Sequence, residues 1–557
     1  MSLVSAVVLA ATTILVFAQR MGGGVSGKQQ QPPRLWDPIP FVFNSLQFLL
    51  NNAQFMERVQ AALKTNSIAR FYLGRDLVYL VSGAKNVQAV FGRSPANTSN
   101  IHADDIMVRT TLPLWYRMTG PDLERFARDK TGRGRNPLPG TEHTPAGERF
   151  FFGYEHVHSE FLARAQYLTP MVEQFHSQMT GVLDNKHLYP AGQWTTISVV
   201  DFCKQHVARC ALYALLGPRM FELSPDFVDR MWDFDDVVFP LVMGRNLGLP
   251  KWLNRRPHRV HERYLDAVRR YLDAAWAGFD WNNAASAEAR WEPCFGAQVT
   301  REVAKWFRES GFTGRDTGAG AIGILAWAQN SNVIPTTTWL MMEIARDPSL
   351  FRALREEVET AYTTDPATGR RLGLDPQKVA ALPLLASAYT ETLRLRMNFN
   401  VIRNVRQSFT LDGYLVKGGS LLQVPTLVAH YDENVWAADS HPASEFWAER
   451  HVKYADEQPD EQGRTGRKRV FAMAGPTGSY FPYGGGNLIC PGRHFAKHEI
   501  MLTMALLVSR FDVEFLEWTK PDGSPSDRPP RNDPRFSGGG AAPPDRDMRI
   551  RIRPVGK

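Results

Sequence analysis

Cys490 stands in "FPYGGGNLICPGRHFAKHEI", residues 481–500, between a run of glycines and a stretch whose apolar residues recur at helical spacing. A cysteine works as nucleophile or metal ligand only as the thiolate, and donated backbone N–H groups at the positive end of a helix dipole make that form easier to reach. Gly484, Gly485 and Gly486 let the chain turn tightly with its amides exposed, and Pro491 suits a helical first turn. Such a sulfur could be a nucleophile, an inert core residue or the axial ligand of haem iron. A cysteine hydrolase wants a histidine base, but His494 and His498 lie along the following helix with no sign of a triad. An axial thiolate, which pushes electron density onto iron and favours O–O cleavage, suits the seat better.

Other charged residues have chemistry-bearing spacing. In "ASAYTETLRLRMNF", Glu391 and Arg394 are one helical turn apart and can face one partner. Buried together they would need a further bidentate group, and "SEFWAERHVK" offers Arg450. Arg403 sits in the strand-like run "NFNVIRNVRQSFTL". Within "GAIGILAWAQNSNVIPTTTWLMMEIARDP", apolar enough for a helix through the protein centre, Ser331 and Asn332 are polar interruptions. Pro335 removes a hydrogen bond there and is expected to kink the helix.

The cysteine loop resembles the haem-binding signature of the cytochromes P450. Tyr483 takes the aromatic place, Gly486 the glycine, Cys490 the ligand and Gly492 the glycine after it, while Gly484 belongs to the same cradle. Leu488 departs from the pattern, standing where most members carry a base for a haem propionate; Arg406 or a histidine of "GYEHVHSEF" could substitute. Glu391 and Arg394 match the family's ExxR, Arg450 its meander arginine, and Arg403 the strand arginine that reaches a propionate. In the central helix Ser331 and Asn332 occupy the places of the proton-delivering acid and threonine. That feature, with "ICPGRHFAKHEI", is similar to the sterol 7α- and 12α-hydroxylase and prostacyclin-synthase branch.

The resemblance implies a mainly α fold with small β-sheets, holding haem b between a long central helix and the Cys490 loop. It implies a monooxygenase that oxidises a lipophilic sterol, terpenoid or similar secondary metabolite, with electrons from an NADPH-dependent flavoprotein reductase. The same branch also contains isomerases and dehydratases that rearrange a peroxide without external electrons, so that chemistry is the alternative.

The elements needed to position these residues can be read along the chain. Of 557 residues, 43% are hydrophobic and 22% charged, which excludes a disordered or fibrous chain. Four cysteines with no CxxC pair exclude a disulfide scaffold or zinc module, and Cys203 and Cys210 read as core residues of an amphipathic helix. A net charge of +8 fits an acidic reductase approaching "RHFAKH" and Arg450 with Lys453; with no basic-aromatic module, nucleic acid is not expected as a partner.

Residues 1–19 are apolar for most of their length and followed by Arg20 and Lys28, the pattern of an N-terminal membrane anchor, with a cleaved signal peptide as the alternative. The expected division is an anchor at 1–19, a Gly/Pro-rich linker at 20–40 and a catalytic haem domain at 41–557, cytosolic on the endoplasmic reticulum membrane. Residues 67–91 suggest a strand pair and a short helix, 120–147 a long loop, 150–360 mostly helix and 401–432 strands. "FVDRMWDFDDVVFPLVMGRNLGLPKWL" is expected to help shape the pocket. "MRIRIRP" alternates as an edge strand would.

Overall fold

Runs of β-branched and aromatic residues meeting at Gly74 pair as the antiparallel strands β1 (Ile68–Leu73) and β2 (Asp76–Val81), with Ile68 opposite Val81. They belong to a computed structural model that describes residues 30–92, 100–246, 248, 250–438, 440–456 and 467–555. After Gly83 comes the expected short helix, α1 (Ala84–Phe91), whose last residue reaches the cysteine loop.

The stretch expected to be one long loop opens instead with a helix, α2 (Gly120–Arg128). Pro121 and Asp122 occupy its first turn, where a preset φ and an acidic charge favour helix. The Asp122 carboxylate accepts from the backbone N–H groups of Thr313 and Gly314 at 3.0 and 2.8 Å, a long-range pairing that the sequence gives no sign of. Beyond Arg128 the chain is largely irregular up to α3 (Phe150–Ala163).

Helices then dominate as expected, interrupted by the short strand β3 (Thr195–Ser198). α4 (Phe227–Asn246) lies on one side of the central helix α5 (Thr317–Arg346). α5 has 30 residues, about 45 Å of helix, and is apolar on nearly every face. It continues through Pro335 without a break: the hydroxyls of Thr336, Thr337 and Thr338 donate back to the carbonyls of Asn332, Val333 and Ile334 at 2.8 Å each.

Next come α6 (Pro383–Arg396), β4 (Met397–Val405) and β5 (Leu421–Pro425). The cysteine turn leads into α7 (Arg493–Arg510), which packs on α5 and is buried along most of its length. β6 (Phe511–Thr519), β7 (Gly539–Ala541) and β8 (Asp547–Pro554) close the chain. The main sheet runs β1, β2, β5, β4, β7, with Ile101–His102 also on β4 and only the β2–β5 contact parallel.

"MRIRIRP" corrects the expectation of an edge strand. β8 is the middle strand between β6 and β3, with Met548, Ile550 and Ile552 fully buried. Its arginines tolerate the central place because Arg549, Arg551 and Arg553 pair with Glu517, Glu514 and Asp512 of the neighbouring strand.

No helix among the described residues is long and apolar enough to cross a membrane. The segment read as an anchor lies outside them. From Gln30 onward the stretch read as linker docks on the sheet: Leu35 is buried, and its N–H donates to the Arg70 carbonyl at 2.9 Å.

Candidate active site

Two left-handed glycines make the turn that carries Cys490. Gly484 has φ 74° and Gly486 φ 69°, a region that favours residues without a Cβ. A Cβ on Gly486 would also come within 2.8 Å of the Phe91 carbonyl, and one on Gly485 would overlap the Phe91 ring, so the end of α1 closes the cradle from outside. Within the turn the Cys490 N–H donates to the Tyr483 carbonyl at 3.0 Å, and the Tyr483 hydroxyl meets that of Tyr389 at 2.5 Å. α7 begins at Arg493 with Gly492 as its N-cap, so Pro491 precedes the helix and does not sit in its first turn.

Burial pushes the Cys490 thiol up, and N–H groups of Gly492 and Arg493 with the Arg493 charge pull it back toward thiolate. The cysteine is nevertheless exposed. Cys203 and Cys210, by contrast, are buried as expected, and burial pushes both thiols to about 12.

The middle of α5 is accessible as well. Between Ile324 and Asn332 only Ala326 and Asn330 are buried; Ile324, Trp327, Ala328, Ser331 and Asn332 are accessible at three- and four-residue spacing along one face, with Leu325 and Gln329 partly accessible beside it. α5 and α7 pack together.

Arg403 on β4 is 9% exposed and donates to the carbonyls of Ile402 and Gly485 at 2.9 and 3.1 Å. It has no carboxylate within ion-pairing range among the described residues. Desolvation, with help from the nearby Arg133 charge, lowers it to about 10. An unpaired buried guanidinium on the glycine turn, beside an accessible thiol, fits a large dianionic cofactor with a metal centre; haem is such a group.

Arg133, which pairs with Asp104 at 2.9 Å and Glu155 at 3.3 Å, is a residue that sequence reasoning missed, since its loop carries no motif. The candidates for replacing a base at Leu488 are otherwise engaged. Arg406 pairs with Asp104 at 3.5 Å, His156 is exposed and stacks on Phe152, and His158 is bonded to the Tyr154 carbonyl at 2.8 Å.

Glu391, Arg394 and Arg450 come together with side chains wholly buried. Arg394 grips Glu391 through two bonds of 2.7 and 2.8 Å, and Arg450 adds one of 2.8 Å. Their remaining donors go to backbone carbonyls, including Arg394 to His430 at 2.5 Å and Arg450 to Pro442 and Glu445 at 3.1 and 3.0 Å. His430 continues the network, its Nε2 accepting the Phe481 N–H at 3.1 Å, so the cluster anchors the start of the cysteine turn. Arg450 therefore cannot belong to a docking face, which corrects that expectation. Arg493, His494 and Lys497 of "RHFAKH" are half-buried and His498 is buried.

Asn332 is held where its type alone could not show. Its Oδ1 accepts the Ala541 N–H from β7 at 2.8 Å, which fixes the amide so that Nδ2 faces the Ser331 hydroxyl at 3.3 Å.

A family model described as Cytochrome P450 matches residues 316–530. Over 527 residues the chain is 39% identical to cytochrome P450 monooxygenase calL of Penicillium decumbens, covering 95% of this chain and 93% of that protein. It is 29% identical over 545 residues to cytochrome P450 monooxygenase fsoE of Humicola fuscoatra, with 95% and 88% covered. The sterol-hydroxylase likeness appears in the human 7-alpha-hydroxycholest-4-en-3-one 12-alpha-hydroxylase, 30% identical over 243 residues, 41% of this chain and 44% of that one. The solved structure of retinoic acid bound cyanobacterial CYP120A1 shares the fold, with a TM-score of 0.64 at 14% identity over 95% of this chain and 100% of that one. With identity at the level of the Penicillium relative running nearly end to end, the chain belongs to the cytochrome P450 family, as a monooxygenase that takes haem through a cysteine thiolate.

Proposed function

We propose that the enzyme oxidises a lipophilic fused-ring compound, a sterol, terpenoid or similar secondary metabolite, using O2 and electrons from an NADPH-dependent flavoprotein reductase. Haem, when bound, supplies the iron at which O2 is activated. Cys490 holds that iron through its sulfur, helped by the Gly492 amide, while Arg403 takes a propionate. Gly484, Gly486 and Tyr483 shape the turn, and Glu391, Arg394 and Arg450 keep it rigid.

The observation that carries the reading is the accessible stripe of α5, apolar at Ile324 and Ala328 and polar at Ser331 and Asn332. Apolar positions suit a hydrocarbon framework. The polar pair supplies proton handling: with its oxygen occupied by Ala541, Asn332 can offer Ser331 only an N–H, and the Ser331 oxygen accepts it while keeping its own proton to donate. The fused-ring class is supported by the human relative, whose name specifies a cholestenone. Residues 1–19 would anchor the enzyme in the endoplasmic reticulum membrane, with a linker that ends before Gln30, where the chain joins the catalytic domain in the cytosol.

A Soret-shift screen of fused-ring and linear lipids tests the substrate class, and fused-ring members should bind. Product should then require O2, NADPH and a reductase. Anaerobic turnover of a lipid peroxide without reductant would overturn the monooxygenase reading in favour of an isomerase.

A further inference from the structure

On α4, Met231, Phe234 and Leu241 are buried at the spacing of a core-facing helix side, while Asp233 and Asp236 are exposed. Asp235 breaks that division. It lies one turn beyond Met231 on the core side, and its Oδ1 accepts a 2.8 Å hydrogen bond from Trp327 Nε1 of α5. No described residue bonds the second oxygen, Oδ2, and the side chain stays partly accessible to a water-sized probe. Trp327 precedes Ser331 by four residues, so the two share the accessible face of α5.

The indole that bonds this acid sits in an aromatic cluster. Trp115 stacks on Trp327 with ring centroids 5.7 Å apart, Phe234 meets Trp327 edge-on at 6.1 Å, and His261 stacks on Phe234 at 4.9 Å. Burial raises Asp235 to about 6; the Trp327 bond and the Lys204 charge oppose it, and Asp236 adds to it. Burial also drives His261 down to about 3, which leaves it neutral. A carboxylate has about four lone-pair sites, and one indole N–H satisfies a single one. If Asp235 served only to pin Trp327, an amide would accept the same bond at a smaller desolvation cost.

We infer that Asp235 is a substrate-positioning residue whose Oδ2 accepts a hydrogen bond from a hydroxyl group of the substrate, so that the enzyme selects hydroxylated over unfunctionalised fused-ring lipids. This deepens, and rests on, the fused-ring reading above.

The holoenzyme is titrated with 5α-cholestan-3β-ol and with 5α-cholestane, and the Soret shift gives each Kd. The alcohol should bind about 10-fold tighter or better, the size of a hydrogen bond to a charged acceptor. Asp235→Leu should erase that ratio while keeping the long-wavelength reduced carbonyl band of ligated enzyme. Should that variant lose the band, Asp235→Asn, which preserves an acceptor for Trp327, should still lower the ratio by about 3-fold or more. Equal affinities in the parent enzyme, a ratio that survives Asp235→Leu with its band intact, or a ratio unmoved by Asp235→Asn overturns the assignment. A merely structural Asp235 would alter both affinities together and leave the ratio alone. If neither compound shifts the Soret band, the fused-ring reading fails first and this inference with it.

Discussion

The backbone N–H of Ala541 donates to Asn332 Oδ1 at 2.8 Å, tying the short strand β7 to the middle of the central helix. An asparagine fixed in this way orients its neighbour Ser331 and couples the proposed proton-handling pair to a segment more than two hundred residues away.

Asn332→Ala should leave haem content near that of the parent enzyme and reduce product formed per NADPH consumed by about 100-fold, the low end of a proton-transfer contribution. Gly540→Ala should act in the same direction, because a Cβ at Gly540 would overlap Asn332 Oδ1. Unchanged coupling in both variants would remove the proposed role of the pair.

Glu391→Ala strands two buried guanidinium groups and should cost about 3–5 kcal/mol, giving poorly folded, haem-poor protein. Burial alone would raise the Glu391 carboxyl, but bonds from Arg394 and His451, with the Arg394 and Arg450 charges, hold it at about 2, against an ordinary 4.5. A folded-state pKa below the unfolded one stabilises above pH 4.5, and that stability is lost as pH falls toward 2. The amount is roughly 3 kcal/mol. Urea unfolding at pH 5 and pH 3 should show about 2 kcal/mol of this loss in the parent protein and its absence in Glu391→Gln.

Arg403→Met should have opposite effects on the two forms of the protein. Without haem, removing a desolvated cation that has no carboxylate partner among the described residues should raise stability by about 1–2 kcal/mol. With haem, losing the propionate contact should speed release of the cofactor to apomyoglobin. A less stable apoprotein would show that the guanidinium is satisfied in some other way.

Cys490→Ala should abolish the long-wavelength band of the reduced carbonyl complex, and a retained band would remove the ligand assignment. Gly486→Val should lower haem content by a different route. Its φ of 69° and the Phe91 carbonyl 2.8 Å from its Cβ position together cost at least about 1–2 kcal/mol, paid by distortion of the turn. Absorbance per mole of folded protein separates the two effects.

Features encoded over a few residues could be read directly from the chain. The β1–β2 hairpin, the length of α5 and the Glu391–Arg394 pair all follow from periodicity or from one-turn spacing, which local backbone geometry translates into place. Partners joined across long separations could not be read in this way. Nothing near Asp122 signals Thr313, nothing near Arg133 signals Arg403, and alternation along β8 could not tell a middle strand from an edge, because the β6 carboxylates that neutralise its arginines lie some thirty-five residues back.

Residue types and their local spacing were enough to establish the cysteine turn, its glycines and the helical body, since these rest on backbone freedom and hydrophobic period, while the haem chemistry was implied by the resemblance of that turn to a family signature. Chain folding settled what each polar group is free to do: it spent Arg450 on Glu391, occupied the oxygen of Asn332 and left Asp235 with one oxygen unpaired among the described residues. The reason is that a hydrogen-bonding side chain acquires its role from whichever partner packing brings within about 3 Å, and that partner is seldom a neighbour in sequence.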